Sequence, residues 1–242
     1  MTTCSGCIST LFSLDIFPQF LEKTKIAYFP YITDEDKIGS YDIALIEGCI
    51  TQEFQIQLLQ KVRRATNKIY SLGSCAVLGG ITSLSKKRAG DPLSNYVEID
   101  GIIPGCPPPS TLFGNCLMNL LENKMIKLSD KNQCYSCPLR EGLDYEFKTK
   151  ITKLIPNNRD INSAQNPKCF LSQGVLCLGP VTREGCDNKC INRGMPCEGC
   201  LGSSSKSLCS NIYNFLSLLD LSDDLKTYEG IFYRYSKPPI KR

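Results

Sequence analysis

Apolar residues recur with recognisable periods over the first 130 residues and lose that periodicity afterwards. Ile8, Leu11, Phe12, Ile16 and Phe20 follow helical spacing over 8–23, and Pro18 is expected to end or kink that helix. Lys25–Pro30 (KIAYFP) reads as a short strand. Tyr41–Glu47 (YDIALIE) is a stronger one, an apolar run of buried-strand type closing on Gly48. Thr51 stands where it could cap a helix running to Thr66, with Phe54, Leu58, Leu59 and Val62 on the buried face. Lys68–Leu72 and Tyr96–Ile103 read as further strands. Ser110–Ile126 carries Leu112, Phe113, Cys116, Leu117, Leu120 and Leu121 at helical spacing. Such alternation predicts an α/β fold, a parallel sheet with helices on its faces.

From Gln133 to Gly202 the chain is rich in Cys, Gly, Pro and Asn. This predicts two domains, 1–130 and 131–242, the second held by metal rather than by burial. Its densest stretch is Cys177–Cys200, CLGPVTREGCDNKCINRGMPCEGC, with Cys-x-x-Cys at its end. Leu208–Leu219 and Asp223–Tyr235 are expected to form short helices, and the tail from Lys237 to fray.

Composition sharpens this picture. The 242 residues include 15 Cys but no His and no Trp. An odd cysteine count argues against a closed disulfide framework, and nothing at the N-terminus resembles a secretory signal. No apolar run reaches the roughly 18–20 residues that span a bilayer. Thiols reserved for metal in a reducing cytoplasm fit best. The net charge of +4 is scattered, with clusters no longer than Lys86-Lys87-Arg88, so no nucleic-acid partner is expected.

Cys75 and Cys106 each follow a strand, as does Cys49. In open parallel sheets ligands bind at the carboxyl ends of strands, so one site gathering Cys4, Cys7, Cys75 and Cys106 is expected. Zinc is a competitor for paired CxxC units. Against it, Cys4/Cys7 pair with isolated cysteines far downstream, and Cys106-Pro107 and Cys137-Pro138 resemble ferredoxin-type endings. The spacing favours iron–sulfur, with a zinc-stabilised scaffold as the alternative.

Five motifs carry a family resemblance: CSGC at 4–7, IEGC at 46–49, GSCAVLGG at 73–80, GCPPP at 105–109 and CLGPVTREGC…C…PCEGC at 177–200. In this order they resemble the electron-transfer small subunit of a [NiFe] hydrogenase. The short cysteine-rich ending is most similar to the delta subunit of cytoplasmic, NAD(P)-linked sulfhydrogenases, or to the small subunit of heterodisulfide-reductase-linked ones. The resemblance implies a flavodoxin-like domain followed by a small, irregular iron–sulfur domain. It assigns Cys4, Cys7, Cys75 and Cys106 to a proximal [4Fe–4S] cluster. Cys186, Cys190, Cys197 and Cys200 fall to a medial cluster, and Cys134, Cys137, Cys169 and Cys177 to a distal one. Membrane-bound relatives have a His where Cys134 stands and a Pro in place of one medial Cys. Three four-iron clusters are therefore implied here, which would take the charge from +4 to about −2.

The implied partners are a large subunit carrying the nickel–iron centre and, for the electrons, a flavin/iron–sulfur diaphorase or a heterodisulfide-reductase-linked carrier. The isolated chain is expected to be inactive. The cluster-bearing quinone-reductase subunit of complex I shares the ancestry, but has adjacent cysteines in its opening motif and a single cluster. Glu47 matches a family glutamate beside the proximal cluster, a possible proton relay; capping or ion pairing is the plainer role. Cys49, where relatives carry Ser, is expected to be a buried thiol or to tune that cluster. Cys116 and Cys209 are expected to pack, and Arg183 to be a solvated turn residue. Gly6, Gly73, Gly105 and Gly199 would let backbone approach sulfur. Ile8 stands where oxygen-tolerant relatives carry an extra Cys, which implies oxygen sensitivity. Relatives carry a strand before the opening CxxC, where only Met-Thr-Thr stands here.

Overall fold

A computed structural model describes residues 1–30, 33, 38–140, 150–156, 168–204, 214–223 and 234–235. The chain divides into two compact units, the first spanning Met1–Lys127 and the second beginning at Leu128.

The first unit is built on a parallel sheet of three strands, β1 (Tyr41–Glu47), β2 (Thr66–Leu72) and β3 (Gly101–Ile103), in the order 1-2-3. Tyr41 pairs with Thr66 and Glu47 with Leu72, while Tyr70 pairs with Gly101. Side chains alternate across a strand, so Leu45 and Ile46 serve different cores. On one face Leu45 joins Leu11, Leu14, Phe17, Leu72, Ile103, Phe113 and Leu117, packed by α1 (Gly6–Phe12), α2 (Phe17–Lys23) and α5 (Ser110–Leu121). On the other, Ile46 meets Ile50, Leu59, Ala76 and Leu93 from α3 (Glu53–Ala65), α4 (Gly73–Leu78) and their loops.

Arg63 at the end of α3 ties this layer together. It forms a 2.6 Å ion pair with Asp100 and donates to the carbonyls of Glu98, Thr66 and Asn67.

Several local expectations fail for physical reasons. Lys25–Pro30 forms no strand; Phe29 stacks on the Phe12 ring at 5.8 Å instead. The helical run breaks before Pro18, which sits in the first turn of α2, where a missing N–H costs nothing. Gln52, not Thr51, caps α3, because the Gln55 carboxamide accepts from both the Thr51 and Gln52 amides. That turns Gln55 inward and leaves Phe54 58% exposed. Only Gly101–Ile103 of the expected 96–103 strand is regular; just ahead of it the Asp100 amide donates to the Ile69 carbonyl, while the Asp100 carboxylate, not a backbone carbonyl, takes the Ile69 amide. Helix α5 stops at Leu121 rather than Ile126, with Asn123 at φ 54°. Thr2, just before the opening CxxC, exchanges two 3.0 Å backbone hydrogen bonds with Cys49.

The second unit has short elements: single turns and a two-stranded pair, β4 (Lys150–Ile151) with β5 (Asp220–Leu221). It nevertheless has an apolar core of Leu139, Ile151, Phe170, Leu171, Val175, Leu176, Cys177, Ile191 and Leu219. This corrects the expectation that burial contributes little there: the apolar residues are dispersed along the chain and gather only on folding. The helix expected over Leu208–Leu219 is described only from 214, as one turn over 214–217. Cys209, the interior of the expected Asp223–Tyr235 helix and the tail from Lys237 lie outside the described residues. Among the described residues no helix is long and apolar enough to cross a membrane.

Candidate metal centres

In the first unit the sheet delivers cysteines to one end. Cys4 and Cys7 open α1, Cys75 lies in α4 directly after β2, and Cys106 follows β3. The Ser74 amide donates to the Gly105 carbonyl at 2.7 Å, locking the Cys75 and Cys106 turns together. Burial pushes the Cys7 thiol up, reinforced by the charges of Glu47, Cys75, Cys106 and Cys4. Cys75 is pushed up to about 12 by burial first, then by Cys49, Cys106, Cys4 and Glu47, and burial and Cys4 raise Cys106. Every pair among the four expected cysteines is therefore close enough to interact. A Cβ at Gly73, where φ is +82°, would lie 2.4 Å from Cys7 Sγ, and one at Gly80 2.6 Å from Cys75 Sγ. Backbone is pressed against both sulfurs, as it must be where amides line a thiolate-bound group.

Glu47 neither caps a helix nor pairs with Lys or Arg among the described residues. Its Oε1 accepts from the Thr3 hydroxyl, and its Oε2 is buried without a hydrogen-bond partner. Cys49 is fully buried, 2.9 Å from Thr82 Oγ1, and acts electrostatically on Cys75. Both readings of it, buried thiol and cluster neighbour, are compatible. Cys116 packs in the apolar cluster of α5, and burial pushes its thiol up to about 11.

In the second unit Cys134, Cys137, Cys169 and Cys177 adjoin one another. Cys134 is pushed up to about 12 by burial, then by Cys137 and Cys169, with Arg140 opposing. Burial raises Cys137 as well, and Cys169 adds to it. Cys177 is likewise pushed up to about 12 by burial, against the amides of Gly179 and Cys197 and with Cys134 and Cys169 adding. Gly179 is the cradle here: a Cβ would sit 3.2 Å from Cys134 Sγ and 3.5 Å from Cys177 Sγ. Of the remaining set, burial raises Cys190 and Cys197, and each also feels Cys186. Cys200 is half-buried.

The two sets meet at Cys197, whose amide donates to Cys177 Sγ at 3.3 Å. Among the described residues no three Cys, Asp or Glu side chains converge closely enough to hold a single ion.

Arg183 is a correction. Rather than standing in solvent, it is half-buried, donating to the carbonyls of Ser129 and Ser203 at 2.8 Å for the latter, with burial lowering its pKa. Sequence reasoning also missed two buried carboxamides, Gln133, which contacts Cys186, and Asn188, which contacts Gln133. A polar residue next to a CxxC carries no sequence signal of burial.

These residues suit iron–sulfur chemistry. Buried thiols with raised pKa values stay protonated by themselves, and four thiolates become tolerable only around a cationic core. Glycine cradles and amide donors aimed at sulfur are the surroundings such a core requires.

The fold has solved counterparts. It matches a chain of the reduced, active Ni-Fe-Se hydrogenase from Desulfomicrobium baculatum (TM-score 0.59, 16% identity, 92% of this chain and 96% of that one). It also matches one of the [NiFeSe] hydrogenase from Desulfovibrio vulgaris Hildenborough (TM-score 0.57, 16% identity, 85% and 92% covered). At these identities the likeness is one of fold: the chain has a hydrogenase fold. Residues 4–120 match the family described as NADH ubiquinone oxidoreductase, 20 Kd subunit.

Sequence relatives identify the particular branch. A subunit of the F420-non-reducing hydrogenase vhu of Methanocaldococcus jannaschii is 30% identical over 239 residues, covering 85% of this chain and 80% of the relative. The delta subunit of sulfhydrogenase 2 of Pyrococcus furiosus is 28% identical over 223 residues, with 84% of each chain covered. The chain belongs to the [NiFe] hydrogenase small-subunit family, among the F420-non-reducing and sulfhydrogenase delta members. It is a hydrogenase electron-transfer subunit, and membership implies iron–sulfur clusters on this chain and a nickel–iron centre on a large-subunit partner.

Proposed function

We propose that this chain passes electrons singly between a large-subunit nickel–iron site and a redox partner through three [4Fe–4S] clusters. The first domain, 1–130, would hold the proximal cluster through Cys4, Cys7, Cys75 and Cys106. The second, 131–242, would hold the medial cluster through Cys186, Cys190, Cys197 and Cys200, and the distal one through Cys134, Cys137, Cys169 and Cys177. The carrying observation is the placement of Cys75 and Cys106 just past parallel strands, their turns joined by the Ser74–Gly105 hydrogen bond, with backbone at Gly73 pressed against Cys7 Sγ. When bound, the clusters supply one-electron chemistry. The chain's own residues place the sulfurs, bury Cys7 and Cys177 while leaving Cys4, Cys106 and Cys190 exposed, and direct amides at Cys177 and Cys197. Glu47, with its unpartnered Oε2 beside Cys7, is placed in this reading as a proton relay.

The relatives named F420-non-reducing hydrogenases use, by that name, an acceptor other than F420. For this chain we propose a cytoplasmic complex, with a flavin/iron–sulfur diaphorase or a heterodisulfide-reductase-linked carrier as the next redox partner.

The complex I reading has one observation in its favour, the family match over residues 4–120. That match ends before Cys134, so it says nothing of the eight cysteines assigned to the second domain. Anaerobic co-purification discriminates. A tightly bound large subunit carrying nickel supports the hydrogenase reading, and a nickel-free quinone-reducing assembly contradicts it.

A further inference from the structure

Cys186 differs from its neighbours in what faces its sulfur. Amides donate to sulfur at Cys137 (Leu139, Arg140), Cys177 (Gly179, Cys197) and Cys197 (Gly199). Cys186 Sγ instead lies 3.2 Å from Oε1 of Gln133, an acceptor.

The orientation of that amide is dictated from its far end. Asn188 Nδ2 donates to the backbone carbonyl of Ser136 at 2.7 Å, and a carbonyl oxygen can only accept. Asn188 must therefore turn its NH2 toward Ser136, which leaves Oδ1 for Gln133. Gln133 Nε2 donates to that oxygen at 2.6 Å, so Gln133 can present only its own oxygen to Cys186. Reversing Gln133 alone would set two oxygens face to face in a buried site, since Gln133 is 1% and Asn188 7% exposed. The backbone is equally constrained: the Gln133 amide donates to Thr182 at 2.7 Å, and Asn188 sits at φ 53°. The chain of amides also joins the Cys134–Cys137 loop, through Ser136, to the Cys186–Cys190 loop, through Asn188.

We propose that Gln133, aligned by Asn188 and the Ser136 carbonyl, is a positioning residue that holds down the reduction potential of the cluster bound through Cys186. The proposal rests on the ligand sets given under Proposed function. Reduction adds negative charge to the cluster sulfurs, and a carbonyl oxygen turned toward one of them disfavours the reduced state. An amide donor in the same place would favour it.

The test is an anaerobic, EPR-monitored redox titration of the purified hydrogenase complex with two variants. Gln133→Leu keeps the bulk and removes the dipole. Asn188→Gly suits the left-handed backbone and frees Gln133 to turn its NH2 toward sulfur. Both are expected to raise the reduced fraction of the medial cluster at fixed potential about tenfold, equivalent to about 59 mV for one electron. The proximal and distal signals should not move. If Gln133→Leu loses the medial cluster, Asn188→Gly decides alone. An unchanged or lowered medial potential, or loss of the medial cluster from both variants, overturns the proposal. Absence of any iron–sulfur signal from the wild-type complex would instead refute the functional reading, and the proposal with it.

Discussion

The two units hold their cysteines by different means. In the first, three hydrogen-bonded strands and two apolar layers carry the fold; Cys7 and Cys116 pack in one of those layers, while Cys75 and Cys106 follow the strand ends. In the second, Cys177 belongs to the apolar core itself, and Cys137, Cys169 and Cys197 pack against it. With only a two-residue strand pair and single turns, that unit has little backbone ladder to fall back on. A sheet can position metal ligands by itself, whereas a loop-built unit is expected to draw on its metal as well as on its apolar core.

Metal removal gives the largest expected effect. Chelation under anaerobic conditions should strip hydrogen-exchange protection from 128–140, 150–156 and 168–204 by more than about tenfold, while the amides of β1 and β2 stay protected. Loss of protection in both units together would erase the distinction.

Gly73→Ala attacks the first unit where it touches metal. A Cβ 2.4 Å from Cys7 Sγ at φ +82° costs roughly 1–3 kcal/mol in backbone strain alone. The expected outcome is loss of about four irons per chain with the second-unit EPR signals intact. Full iron content in that variant would show that the Cys7 sulfur does not need this approach.

Cys190→Pro tests the division within the second unit. Cys190 has φ −70°, which proline adopts without strain. A three-iron medial signal is expected, and a four-iron medial signal would break the assignment.

The smallest effect belongs to the sheet. Burial tends to raise the Asp100 carboxyl, but the Ile69 amide and the Arg63 guanidinium outweigh it and hold the pKa below the usual carboxylate range. A lowered pKa stabilises the fold above the ordinary value and is lost as pH falls through the folded one. Asp100→Asn should cost about 1 kcal/mol near neutral pH, kept small by partial exposure, and flatten that acid limb. Thermal melts across the acid range measure it.

The first unit is largely legible in the sequence, because β1 is a mostly apolar run, β1 and β2 both close on glycine, and Cys49 and Cys75 fall just past them. Legibility ends where a polar side chain overrides the pattern. Gln55 turns inward to cap α3 and expels Phe54, and the Asp100 carboxylate takes the Ile69 amide just ahead of β3. The core of the second unit is not legible. Leu139, Ile151, Phe170, Val175, Ile191 and Leu219 stand too far apart to make a period. The Gln133–Asn188 pair is hidden for the same reason, since only the folded chain brings 133 beside 186 and 188.

Metal and sulfide analysis of the anaerobically purified complex tests the central claim most directly. In the pair of this chain with its large subunit, three four-iron clusters predict about twelve acid-labile sulfide and about thirteen iron per copy of this chain, the extra iron being the partner's nickel–iron centre, in a brown protein. Stoichiometric zinc with no sulfide, in a colourless protein, would contradict it.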